Sequence, residues 1–128
     1  MASPDDRRYI DTHEWHKLEE DLITIGLSRF AVDELTDITY VEIQCQNGQI
    51  AAGDALGEIE SVKATSEIFC GIDGTVTEVN AAVMDDPSII NADPFGAGWL
   101  VKVRPADASQ IDTLMTAEAY DTHTGTET

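Results

Sequence analysis

The chain reads as a mainly β domain, antiparallel, with short helices attached. Three observations carry that expectation. Alternating runs recur at short intervals in "LITIGLS", "ITYVEIQ" and "WLVKVRP", and period two with one polar face marks half-buried antiparallel strands. Helix signals are few and short. The 128 residues, 42% of them hydrophobic, suffice for one packed core but not for two.

Each element can be justified in order. In the first run Ile23, Ile25 and Leu27 alternate against Thr24 and Gly26. Ser28 stands where a cap for "RFAVDEL" is needed, with Phe30 and Leu35 expected to face inward. The second run sets Thr39, Val41 and Ile43 against Tyr40, Glu42 and Gln44. "GQIAAGD" at 48–54 and "GTVTEVN" at 74–80 share the pattern Gly-x-Ile/Val-x-x-x-Asp/Asn, and the interval between them is centred on Ala64. Such a repeat predicts two halves that pair about a hairpin and carry its tip to an extremity. Asp86 and Pro87 suit the N-cap and first position of a single turn, "DPSII". Trp99, Val101 and Val103 then oppose Leu100, Lys102 and Arg104. From Asp107 to Tyr120 the spacing predicts one or two terminal helices with Ile111, Leu114 and Met115 on a common face. The expected domain covers 1–121, with 122–128 a frayed tail.

Composition narrows the function classes. Lys and Arg number 7 against 25 Asp and Glu, a formal charge of −18. Nucleic acid and anionic membrane surfaces repel such a chain, and self-repulsion favours a monomer. The same acidity suits steering towards basic clefts of partners, or a salty cytoplasm that screens it; both readings stay open. Apolar runs are too short to span a membrane, and "MASPDDRRY" has no apolar leader, so a cytoplasmic protein is expected. Cys45 and Cys70 make no disulfide framework. In "HEWH" the spacing of His13 and His16 is three, where a helical zinc motif needs four, so no metal site is expected.

The informative stretch is "ESVKATSEIF", residues 60–69. Lys63 sits between two strand-like runs, where a tip normally takes Gly, Asn, Asp or Pro. Broken local rules of this kind concentrate at functional sites. Val62, Ala64 and Thr65 leave the amine unobstructed, and Glu58, Glu60 and Glu67 flank it. Most single lysines are simply solvated, so the residues alone leave open a surface lysine or a modified one.

"ESVKATSE", then "GTVTEVN", then "INADPFGAGWLVKV", preceded by "THEW" and "IGLSRFAVDELTDITYVEI", together resemble the glycine cleavage system H-protein family from about Tyr9 to Tyr120. The resemblance implies a flattened antiparallel β-barrel or sandwich hybrid of the lipoyl/biotinyl-carrier type with C-terminal helices. It implies lipoic acid amide-linked to Lys63, and a carrier rather than an enzyme. The implied partners are glycine decarboxylase, an aminomethyltransferase, dihydrolipoyl dehydrogenase and a lipoate-attaching enzyme. The aminomethyl group of glycine would travel on the arm from the first to the second, and the dithiol would be reoxidised by the third. Thr12, Glu14 and Glu67 match positions lining a cleft that shelters the loaded arm.

The chain departs from the family pattern in places. Glu67 stands where Asp is common, and "FCGIDG" at 69–74, with Cys70 and Gly71, replaces a turn that usually contains Ser-Pro. "EIQCQNGQ" lacks a proline often found there. Cys70 reads as a small buried apolar residue. Rival readings are a biotin carrier, which usually flanks its lysine with Met where this chain has Val62 and Ala64; a lipoyl donor to other complexes; an unmodified structural or regulatory homologue; and an enzyme using Cys70 with His13 or His16.

Overall fold

The computed structural model describes residues 4–44 and 48–124. Nine strands, β1 (Arg8–Tyr9), β2 (Glu14–Glu19), β3 (Leu22–Leu27), β4 (Ile38–Ile43), β5 (Gln49–Ile50), β6 (Ala55–Ser61), β7 (Thr65–Phe69), β8 (Gly74–Val79) and β9 (Val101–Pro105), form two antiparallel sheets among the described residues. One has the order β1-β2-β3-β9-β8-β5 and the other β4-β6-β7. Four short helices, α1 (Arg29–Leu35), α2 (Ala81–Asp85), α3 (Ser88–Ala92) and α4 (Ala117–Thr124), and a 3-10 turn at Ala108–Thr113 fill the connections. The mainly β class with short helices is therefore the observed one. No helix among the described residues is long and apolar enough to cross a membrane.

The core lies between the sheets. Ile23, Ile25 and Leu27 of β3 and Val101 and Val103 of β9 meet Leu56, Ile59 and Ile68 of the smaller sheet. The first run is buried on both faces rather than one, because Trp15 lies flat over Gly26 and Thr24 is also covered. A Cβ at Gly26 would sit 2.6 Å from the Trp15 ring. In β4 a register shift between Ile38 and Tyr40 turns Thr39 outward, and Val41 alone of the expected trio is fully buried. Ser28 caps α1 as expected, its Oγ accepting from Ala31 N at 3.2 Å. The helix buries Ala31 and Val32, whereas Phe30 and Leu35 are only half-buried. Asp86 Oδ1 accepts from Ser88 N and Oγ at the start of α3, but the N-cap position falls on Pro87, one residue later than expected.

The internal repeat has a direct structural counterpart. Gln49 and Thr75, equivalent positions of the two copies, are Cα partners in the β5–β8 ladder. Val76 N donates to Gly48 O at 2.9 Å, extending the pairing. The chain between the copies is thereby forced out and back as the β6–β7 hairpin.

The C-terminal segment does not form helices sharing one face. The 3-10 turn stops at Thr113, and Met115 makes a two-bond extended bridge with Tyr9. Ile111 belongs to the main core, while Met115 packs with Tyr9, Trp15 and Tyr120 in a second, aromatic cluster. Tyr9 and Tyr120 stack at 4.6 Å between centroids, which seats α4 against the larger sheet. The helix runs to Thr124, into the stretch expected to fray.

Candidate functional site

The tip of the β6–β7 hairpin is built without any residue at positive φ. Ser61 supplies what the missing turn residues would have. Its backbone N–H donates to Ala64 O at 2.8 Å, and its Oγ accepts from Lys63 N at 3.1 Å and Ala64 N at 3.0 Å. A hydroxyl that bonds the backbone two and three residues on is a turn device in its own right. The apparent break in turn chemistry was therefore filled by a serine, a weaker signal in the same stretch. Val62 N also donates to Asp37 O at 3.0 Å, tying the tip to the entry of β4.

These bonds fix the backbone and leave the Lys63 side chain in solvent. The other two lysines are engaged: Lys17 Nζ lies 3.4 Å from Asp6 and 3.7 Å from Glu19, and Lys102 Nζ sits 5.1 Å from the centre of the Trp99 ring. Val62, beside Lys63, is 70% exposed, the most exposed large apolar side chain among the described residues. The tip thus pairs a rigid backbone with an accessible amine.

Below the hairpin lies a cavity of about 210 Å³. Thr12, Glu14 and Glu67 all contribute to it, so the three expected cleft residues do come together. Apolar walls come from Leu27, Phe30, Ala31, Leu35 and Ile59. Glu14 is fully buried. Its Oε1 accepts from Thr12 Oγ1 at 2.5 Å and its Oε2 from Phe69 N at 2.8 Å. Burial pushes its carboxyl up from the ordinary 4.5 to about 7, against the pull of those two bonds. Glu67, by contrast, is exposed and reaches the cavity from β7. By register it stands opposite Glu58, on the opposite face from Ser66.

His13 is a cavity residue that spacing did not single out. It takes φ 85°, and its backbone is pinned by Ser28 N donating to His13 O and His13 N donating to Ile10 O, both at 2.9 Å. Its Nδ1 is 2.8 Å from the Tyr120 hydroxyl, which is 2.6 Å from Ser28 Oγ. Burial lowers the imidazole's proton affinity and raises the Tyr120 phenol to about 12. The cavity wall is thus tied to α4 by a chain of neutral groups. Its members are distant in sequence, so only the fold brings them together.

Cys70 is a core residue, its Sγ 3.0 Å from Ile72 O, as its apolar reading anticipated. His16 is buried beside it; Gly71 N donates to its Nε2 at 3.0 Å. Cys45 lies outside the described residues.

The fold agrees with the comparisons. The family model described as "Glycine cleavage H-protein" matches residues 7–127. A "Glycine cleavage system H protein" from a Cyanothece species is 45% identical over 120 residues, 94% of this chain and 93% of that protein. A "Probable glycine cleavage system H protein" from Haloarcula marismortui is 41% identical over 117 residues, 91% and 92% of the two chains. The crystal structure of a glycine cleavage system H protein from Mycobacterium marinum superposes with a TM-score of 0.87 at 34% identity, covering 95% of this chain and 98% of that one. With a match running from the first strand through the terminal helix, the chain belongs to the glycine cleavage H-protein family.

Proposed function

We propose that this protein is a lipoyl carrier of the glycine cleavage system, with lipoic acid joined to Lys63 and the aminomethyl group of glycine as cargo. The observation that carries the reading is the free amine of Lys63 on a backbone fixed by Ser61, above a cavity with a buried acid. Its proposed partners are glycine decarboxylase, an aminomethyltransferase, dihydrolipoyl dehydrogenase and a lipoate-attaching enzyme, and its place is the cytoplasm. The chain itself is a carrier, handed between enzymes.

The site fits the group in reach and chemistry. About twelve bonds separate the lysine Cα from the nearer lipoyl sulfur, and at ~1.2 Å advance per bond an extended arm spans about 14 Å. Ser66 and Glu67, on the cavity's hairpin side, stand three and four residues from Lys63, about 10–13 Å along an extended strand. When bound, lipoic acid supplies a disulfide that opens to a dithiol and a sulfur that carries the one-carbon amine.

This chain's residues do the rest. Acylation removes the Lys63 charge, and Ser61 keeps the attachment point fixed. Leu27, Phe30, Leu35 and Ile59 exclude water from the cavity. Glu14 gives up its proton to face an entering ammonium, with Thr12 and Phe69 N–H holding the carboxylate in place.

Intact mass and peptide mapping of protein from its native cell test the reading. The expected result is a lipoyl increment on the peptide containing Lys63. Lys63→Arg should abolish glycine-dependent transfer while leaving the fold unchanged. A bare lysine, a biotin increment or normal turnover of the variant would overturn it.

A further inference from the structure

Glu14 and His16 occupy alternate positions of β2, and both reach across to the larger sheet's partner. Glu14 Oε2 accepts from Phe69 N at 2.8 Å, and His16 Nε2 accepts from Gly71 N at 3.0 Å. Phe69 and Gly71 are likewise alternate residues, at the exit of β7. Two side chains thus replace the backbone acceptors a neighbouring strand would provide, and they bridge the sheets where the lysine hairpin ends. Both are fully buried.

With Nε2 accepting, the ring is the Nδ1–H tautomer, and Nδ1, influenced by the Glu14 carbonyl, makes no hydrogen bond of normal geometry among the described residues. An apolar side chain in this place would remove the acceptor for Gly71 N and leave that donor without its partner. Gly71 is the complementary half. It is the donor that a proline at this position would lack, and it packs so closely that a Cβ would lie 2.5 Å from Ile10 and 3.4 Å from His16 Nε2. The pair is a close side-chain-to-backbone contact that sets the position of the segment it holds.

We infer that His16 is a positioning residue for the arm cavity: by fixing Gly71 it keeps the Phe69 N–H aimed at Glu14, and so holds the Glu14 carboxyl in the cavity. The consequence for the loaded carrier rests on the function proposed above; the coupling from His16 to Phe69 does not.

The test uses the full-length lipoylated protein as wild type, His16→Leu and His16→Gln. Leu removes the acceptor; the Gln side-chain carbonyl restores one. Expected for Leu is amide exchange at both Gly71 and Phe69 about tenfold faster than any change in global stability accounts for, with thermal stability lowered by the loss of the Gly71 acceptor. Loss of the one-carbon unit from the loaded arm to water should quicken severalfold, and Gln should reverse both effects. Wild-type Phe69 exchange and wild-type arm lifetime in His16→Leu would reduce His16 to packing and overturn the inference. Nitrogen NMR of the wild type provides an arm that needs no variant: Nε2 must be the unprotonated nitrogen, and the opposite tautomer also overturns it. If Lys63 proved bare, the lifetime measurement would have no signal, while exchange and tautomer would still decide the role of His16.

Discussion

Replacing Glu14 with Gln should stabilise the protein, increasingly so as pH rises. The neutral acid and the amide are close in shape, and the site suits both: Oε2 accepts from Phe69 N, and the other group can donate to Thr12 Oγ1. Only the wild type must ionise. Its folded-state affinity for a proton lies at about 7 against an ordinary 4.5, so the folded state binds the proton more tightly than the unfolded one. The stabilisation linked to that proton is complete below 4.5 and is lost as pH rises through 7. At about 1.4 kcal/mol per tenfold change in proton affinity, the loss amounts to roughly 1 kcal/mol at pH 5 and about 3 kcal/mol at pH 8. Urea unfolding of both proteins at the two pH values gives the comparison, and other titrating groups cancel in the difference. The gap in favour of Gln should widen by about 2 kcal/mol between pH 5 and pH 8. A gap that stays constant, or narrows, would show that Glu14 is not held in a desolvated site.

Two further substitutions probe the scaffold. Ser61→Ala removes the acceptor for two tip amides; global stability should fall by about 1 kcal/mol or less, while enzymatic lipoylation of Lys63 slows and Ser61→Thr restores it, measured by mass-resolved modification rates. Tyr120→Phe keeps the stacking with Tyr9 but removes the hydroxyl between His13 and Ser28. It should cost about 1–2 kcal/mol in denaturant unfolding and shift the His13 ring resonances, with the Tyr9 ring undisturbed.

Legibility in the sequence followed the range of the interactions. Ser28 as a cap was readable because a cap and its amide lie within a few residues, and the start of α3 was readable to within one residue from Asp86 and Pro87. The alternation in β9 was readable because one face alone is core. In β3 the same pattern misleads, since Trp15 comes from the neighbouring strand to cover the second face. Thr39 was placed inward because period two assumes an unbroken register, and the bulge in β4 breaks it. At the site, Lys63 and Glu14 followed from family resemblance, and the fold supplies their geometry. His13, Tyr120 and Ser28 carry no shared local pattern; their hydrogen bonds join positions 107 and 92 residues apart.

The two buried titratable groups of β2 oppose each other in pH. Burial lifts Glu14 to about 7 and drives His16 from 6.5 down to about 4, the Glu14 carbonyl opposing the second shift only in part. For His16 the folded state binds its proton less tightly than the unfolded state, so stability is lost as pH falls from 6.5 towards 4. Glu14 removes stability in the other direction, as pH rises through 7. Both groups are therefore neutral together only in a band near pH 5–6, and there the clasp on Phe69 and Gly71 is least costly. At neutral pH and above, where His16 is already neutral, the remaining strain sits in Glu14 alone. An ammonium entering the cavity would relieve that strain by pairing with the carboxylate. Under the function proposed above, that pairing would favour the loaded arm over the empty one, because the cargo would neutralise the atom at which the fold is destabilised.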